Sequence, residues 1–148
     1  PLIVIIDQIT KWAAYLNRVN VNIIPNFFDL QYTRNTGAAW SILEDYPWVL
    51  AIISFLAGTA MIVYYIMKRK TLSAWFRAAL MLMIGGTWGN FIDRAFYPEG
   101  VIDFLAFDIF GYDFPTFNVA DMSLVVGTIA LVAIMLIEDR KHDAKSSV

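Results

Sequence analysis

Two aspartates carry the strongest chemical signal in this chain: Asp103 in Val101-Ile102-Asp103-Phe104 and Asp121 in Phe117-Asn118-Val119-Ala120-Asp121. Asp121 opens a hydrophobic run, Val119 to Ile137, in which it is the only charge. An ionised side chain at mid-depth in a membrane helix costs roughly 2.5–3.5 kcal/mol, and less near the interface, so its presence there points to function. Two such carboxylates arriving from neighbouring segments would form an acid–base dyad. Each also has a blander reading. Asp121 could cap a helix, a role worth about 1 kcal/mol, although Asn118 already offers a cap. Asp103 could be a polar loop residue like Asp108 and Asp113.

The elements that must hold these residues are membrane helices. The chain of 148 residues is 59% hydrophobic and only 16% charged, an unusual balance for a water-soluble domain. Crossing a bilayer takes about 20 mostly apolar residues. Trp48 to Met67 has no charge, Leu72 to Ile92 has Arg77 close enough to its end to snorkel, and Val119 to Ile137 is the third such run. Pro1 to Ile6 is apolar but short, with no basic leader and no small-residue cleavage site. It reads as the outer half of a first helix whose beginning is missing, which makes four transmembrane helices in one domain.

Basic residues orient the bundle. Lys68-Arg69-Lys70 and Arg77 lie between the second and third helices without an acid among them, and the tail 138–148 carries Arg140, Lys141 and Lys145. Short basic loops stay in the cytoplasm, so both termini are expected inside and the dyad near the outer face. Outside, Phe28 to Thr33 alternates apolar and polar residues, the period of a half-buried strand, with turns at Pro25-Asn26 and Asn35-Thr36-Gly37. A small sheet over the membrane is expected, followed by a short helical or interfacial segment from Gly37 to Trp40. Trp40, Tyr46, Trp48 and Trp88 suit an interfacial aromatic belt. Gly85 and Gly89 have the spacing that lets helices approach closely. Asp7 and Lys11, four residues apart, share one helix face and can pair.

Several chemistries lose their signatures. There is no cysteine, hence no disulfide, thiol nucleophile or thiolate metal site. The lone His142 lies in the charged tail, and no serine-hydrolase elbow, phosphate loop or His-Glu-x-x-His is present. A net charge of −2 argues against nucleic acid. A transporter would use Asp121 as a proton or cation site, but no internal repeat is visible. A non-catalytic assembly factor with an acidic outer loop is the other rival. The Gly-x-Gly-Asp motif of presenilin-type proteases is missing.

Five ordered motifs resemble one family closely. They are Asp7-Gln8-x-x-Lys11, Arg34-Asn35-x-Gly37-Ala38-Ala39-Trp40, Gly86-x-x-Gly89-Asn90-x-x-Asp93-Arg94, Val101-x-Asp103-Phe104 and Phe117-Asn118-x-Ala120-Asp121. Together they are similar to the lipoprotein signal peptidases, or signal peptidase II, although the family's cytoplasmic leader and the first half of helix one are lacking. The resemblance implies an all-α membrane protein of four transmembrane helices with a small extracytoplasmic sheet, in the bacterial cytoplasmic membrane. It implies an aspartyl endopeptidase that cuts diacylglyceryl-modified prolipoproteins immediately before the lipidated cysteine, with Asp103 and Asp121 as the catalytic pair. Asn90, Asp93, Arg94 and Asn118 would orient the dyad and bind substrate, Asn35 and Gly37 would line the cleft, and Asp7 with Lys11 would hold the helix end. The expected partners are the lipid-modified substrate and membrane lipids, with a monomeric enzyme and neither metal nor cofactor.

The chemistry needs its two carboxylates in unequal states. At about 4 Å, like charges repel by roughly 4 kcal/mol at an effective dielectric of about 20, so the pair shares one proton. The ionised member activates water and the protonated member donates to the scissile carbonyl. Which aspartate holds the proton stays open at this point.

Overall fold

A computed structural model describes residues 1–37 and 46–146. It contains four helices, α1 (Leu2–Asn17), α2 (Pro47–Lys68), α3 (Ala74–Phe96) and α4 (Val119–Ser146). Four strands, β1 (Asn20–Ile24), β2 (Phe28–Asn35), β3 (Val101–Ile109) and β4 (Tyr112–Phe117), form one antiparallel sheet in the order β1-β2-β3-β4. Ala38, Ala39 and Trp40, expected in a short helix and an aromatic belt, lie outside the described residues.

Local chemistry sets the helix limits. Pro47 starts α2, a position where its missing N–H costs nothing. The Ser73 hydroxyl accepts from Phe76 N at 3.2 Å and starts α3. Arg18 takes a left-handed conformation, φ 44°, to end α1. Helix α4 continues past Ile137, so the charged tail extends the same helix.

Two helices, α2 and the Val119–Glu138 part of α4, are long and apolar enough to cross a membrane. Only 11% of each apolar window is buried inside the protein, so these are not the core helices of a soluble fold. Helix α3 packs against α1, α2 and α4. Its glycines make the contacts possible. A Cβ on Gly85 would lie 2.7 Å from Ile3 Cβ, and one on Gly89 would lie 2.7 Å from Asp7 Oδ2. Trp88 wedges between α2 and α3 instead of facing outward, edge-on to Phe55 and Phe91.

The sheet is larger than the single strand legible in the sequence. Asp103 lies on β3 and not on a loop, opposite Thr33 of β2. The Ile109–Pro115 segment turns β3 into β4 through Phe110 and Gly111, at φ 56° and 83°. On one face Ile102 and Phe104 bury themselves against Ala14 at the end of α1. Leu105 packs against the same cluster, while Asp103 turns to the other face. Phe107 stacks between Phe28 and Phe117, with ring centroids 4.6 and 5.6 Å apart. The site therefore forms where the sheet's second face meets the first turn of α4.

Candidate active site

The first turn of α4 is built around a reciprocal cap. Asn118 Oδ1 accepts from Asp121 N at 3.0 Å, and Asp121 Oδ2 accepts from Asn118 N at 3.1 Å. This is the capping-box pattern, with aspartate in the place usually taken by glutamate. Both candidate caps are used, and capping does not exhaust Asp121. Its other oxygen, Oδ1, accepts from Asn90 Nδ2 of α3 at 2.7 Å.

Asn118 also ties this turn to the strand. Its Nδ2 donates to Asp103 Oδ1 at 2.6 Å, to Asn90 Oδ1 at 3.1 Å and to Ile102 O at 3.3 Å. One residue thus touches both candidate catalytic carboxylates. Asn35 of β2 completes the Asp103 shell, donating through Nδ2 to Oδ2 at 3.0 Å. Asp103 is almost fully buried, and that burial, with the Asp121 charge nearby, pushes its carboxyl up to about 7. Hydrogen bonds from Asn35 and Asn118 and the charge of Lys11 act in the opposite sense and fall short.

A second aspartate pair lies behind the first. Lys11 Nζ is 2.8 Å from Asp7 Oδ2 and 3.0 Å from Asp93 Oδ2, and it donates to Asn90 Oδ1 at 2.9 Å. All three residues of this ion cluster are buried. The remaining acceptors are filled as well. Asp7 Oδ1 accepts from Ala120 N at 2.8 Å, Asp93 Oδ2 from Ile102 N at 3.2 Å, and Asp93 Oδ1 from Gln8 Nε2 at 2.9 Å. The expected Asp7–Lys11 pair is therefore part of a junction joining α1, α3, α4 and β3. Asp93 belongs to this junction and makes no hydrogen bond to either candidate catalytic residue among the described residues.

A cavity of about 930 Å³ opens over the dyad. Asn35, Asn90, Arg94, Asp103 and Asp121 give it a polar end, and Phe114, Phe117, Met122, Val125 and Val126 give it an apolar one. Met122, Val125 and Val126 are also exposed on the outer face of α4, so the apolar end runs towards the helix's lipid-facing side. Gly37 stands beside this space: its N–H donates to Asn35 Oδ1 and its carbonyl accepts from Arg94 Nη2 at 3.4 Å. Arg94 reaches Ser54 Oγ at the same distance, and among the described residues it forms no ion pair. Such long hydrogen bonds are weak, which leaves the guanidinium with donors to spare.

Sequence reasoning assigned no role to Gln8, although it stands inside a quoted motif, nor to the aromatic lining from β4. A polar residue between Asp7 and Lys11 was a usable signal for the first. The second had none, because β4 was not legible as a strand. No group of three or more potential metal ligands occurs among the described residues.

Comparison with known proteins gives a consistent result. A family model described as signal peptidase (SPase) II matches residues 1–137. A lipoprotein signal peptidase of Bacillus pumilus is 41% identical over 143 residues, covering 95% of this chain and 91% of that protein. One from Staphylococcus epidermidis is 39% identical, covering 93% of this chain and 86% of its own length. A bacterial membrane enzyme solved by the in meso method at 2.3 Å superposes with a TM-score of 0.82 at 38% identity, covering 95% of this chain and 86% of that one. A second, at 1.9 Å, gives 0.78 at 37% identity, covering 91% and 88%.

Proposed function

This chain belongs to the signal peptidase II family of membrane aspartic proteases, and on that premise we propose that Asp103 and Asp121 hydrolyse prolipoproteins between signal peptide and lipidated cysteine. The observation that carries this reading is Asn118, which holds both carboxylates at the polar end of one cleft. The ionised aspartate takes a proton from a water molecule, which attacks the scissile carbonyl. The protonated aspartate donates to the carbonyl oxygen, and the proton later passes to the departing amine. No covalent intermediate is required.

The surrounding groups suit a peptide bearing lipid. The spare donors of Arg94 and the side chain of Asn35 can take substrate carbonyls, while the apolar end of the cleft offers acyl chains a way in from the bilayer. The four helices act as four spans of one domain, with both termini cytoplasmic and the sheet outside, as the basic 68–77 loop favours. The enzyme works as a monomer in the bacterial cytoplasmic membrane, with neither metal nor cofactor.

The test is cleavage in detergent of a diacylglyceryl-modified prolipoprotein and its unmodified form, with Asp103→Asn and Asp121→Asn alongside. Cutting of the modified form by the parent alone, with all three proteins equally folded, supports the assignment. Full activity in either variant removes that aspartate from the chemistry. Equal cutting of the unmodified substrate removes the requirement for lipid.

A further inference from the structure

We propose that Lys11, without touching the dyad, is the positioning residue that makes Asp121 the base and leaves the shared proton on Asp103. The inference rests on the aspartyl peptidase reading given above, and its basis is the direction of the hydrogen bonds around Asn90.

An ammonium group offers three N–H donors and no acceptor. Those of Lys11 meet three oxygens: Asp7 Oδ2, Asp93 Oδ2 and Asn90 Oδ1. The last of these, together with Asn118 Nδ2 on the same oxygen, sets how the Asn90 amide lies. Turned over, its NH2 would face the Lys11 ammonium and the Asn118 NH2, donor against donor. Held as it is, its oxygen accepts from Lys11 and Asn118, and its nitrogen must donate to Asp121 Oδ1 at 2.7 Å.

The result is a hydrogen-bond chain with one polarity, Lys11 to Asn90 to Asp121. An amide N–H at Oδ1 and the Asn118 backbone N–H at Oδ2 both favour a carboxylate that accepts. The positive end of the α4 dipole acts in the same direction, since Asp121 is in the first turn. Asp103 is on a strand, without a helix terminus of its own, and is the more buried of the two. Burial and the Asp121 charge push its carboxyl up to about 7 against the direct charge of Lys11, so Lys11 acts here through Asn90, while Arg94 faces both carboxylates from α3.

A merely structural Lys11 would hold Asp7 and Asp93 together and nothing more. The two roles separate in the pH profile of kcat, which does not depend on how much of the protein is folded. Loss of the Asn90 donor should move the acid limb of that profile, which reports the dyad as a unit, to higher pH. Three variants are compared with the parent: Lys11→Met, Asn90→Ala and the double variant. The expected result is the same upward displacement in all three, a fall in kcat with little change in KM, and no further movement when the second change is added to the first. An acid limb at the parental pH in Asn90→Ala overturns the proposal, and it does so even where Lys11→Met fails to fold. A folded Lys11→Met with the parental profile overturns it too. Failure of the parent to cleave would instead remove the peptidase assignment on which the inference stands.

Discussion

Two pairs of aspartates sit close together in this protein, and they differ in what stands between their members. Asp7 and Asp93 flank an ammonium, and each oxygen of both has a donor. Among the described residues, hydrogen bonds link Asp103 to Asp121 through the amides of Asn118 and Asn90. The ammonium of Lys11 stands between the members of the first pair and joins them. Amides orient the second pair, and Arg94 shares its cleft without an ion pair to either among the described residues, an arrangement that suits the shared proton of the proposed mechanism. Structural and chemical use of the same residue type is decided here by the neighbour.

Substitutions should treat the pairs oppositely. Asp103→Asn and Asp121→Asn should each lower kcat by at least about 10³-fold while the protein remains folded, since general acid–base groups contribute about 10²–10⁴-fold each and the two act as a unit. Single-turnover cleavage with a thermal melt in the same detergent reads both. Activity above a hundredth of the parent's would mean that the dyad is wrongly drawn.

Removing the cation should act on stability first. Lys11→Met leaves two buried carboxylates without their counter-charge, a change that costs about 3–5 kcal/mol. A melting temperature unchanged by this substitution would erase the distinction between the pairs.

The proton requirement supplies a subtler test. Asp103 must be protonated to donate, and its carboxyl is pushed up to about 7. Activity should therefore decline as pH rises through about 7, as Asp103 loses that proton, with the fold intact. A rate that is flat from pH 6 to 9 would mean the resting dyad is not singly protonated. Smallest of all should be Asp113→Asn, in the exposed hairpin end, with activity within about twofold and stability within about 0.5 kcal/mol.

The candidate site residues were easier to pick out in the sequence than the frame that carries them. A lone charge heading an apolar run exposes Asp121 at once, and the Asp7–Lys11 spacing gives one contact of the ion cluster. Strand β3 was concealed because its first four residues are buried on both faces, so apolar and polar positions do not alternate. Strand β4 contains Pro115, which argues against a strand except at an edge or an irregularity, and β4 is both an edge strand and irregular in register. The contacts of Lys11 with Asn90 and Asp93 leave no local trace at all. They join positions about 80 residues apart, which the packing of α1 against α3 at Gly85 and Gly89 brings together.

The doubly fastened start of α4 has a further consequence. Asp121 takes up its position only when that turn is wound, and the winding uses Asn118 from its own segment and Asp7 from the first helix. Hydrolytic competence is thus a report on assembly, given only when the chain's first and last helices have met. Without α1 in place, the chain carries both aspartates but lacks the Asp7 contact that fastens the turn holding Asp121.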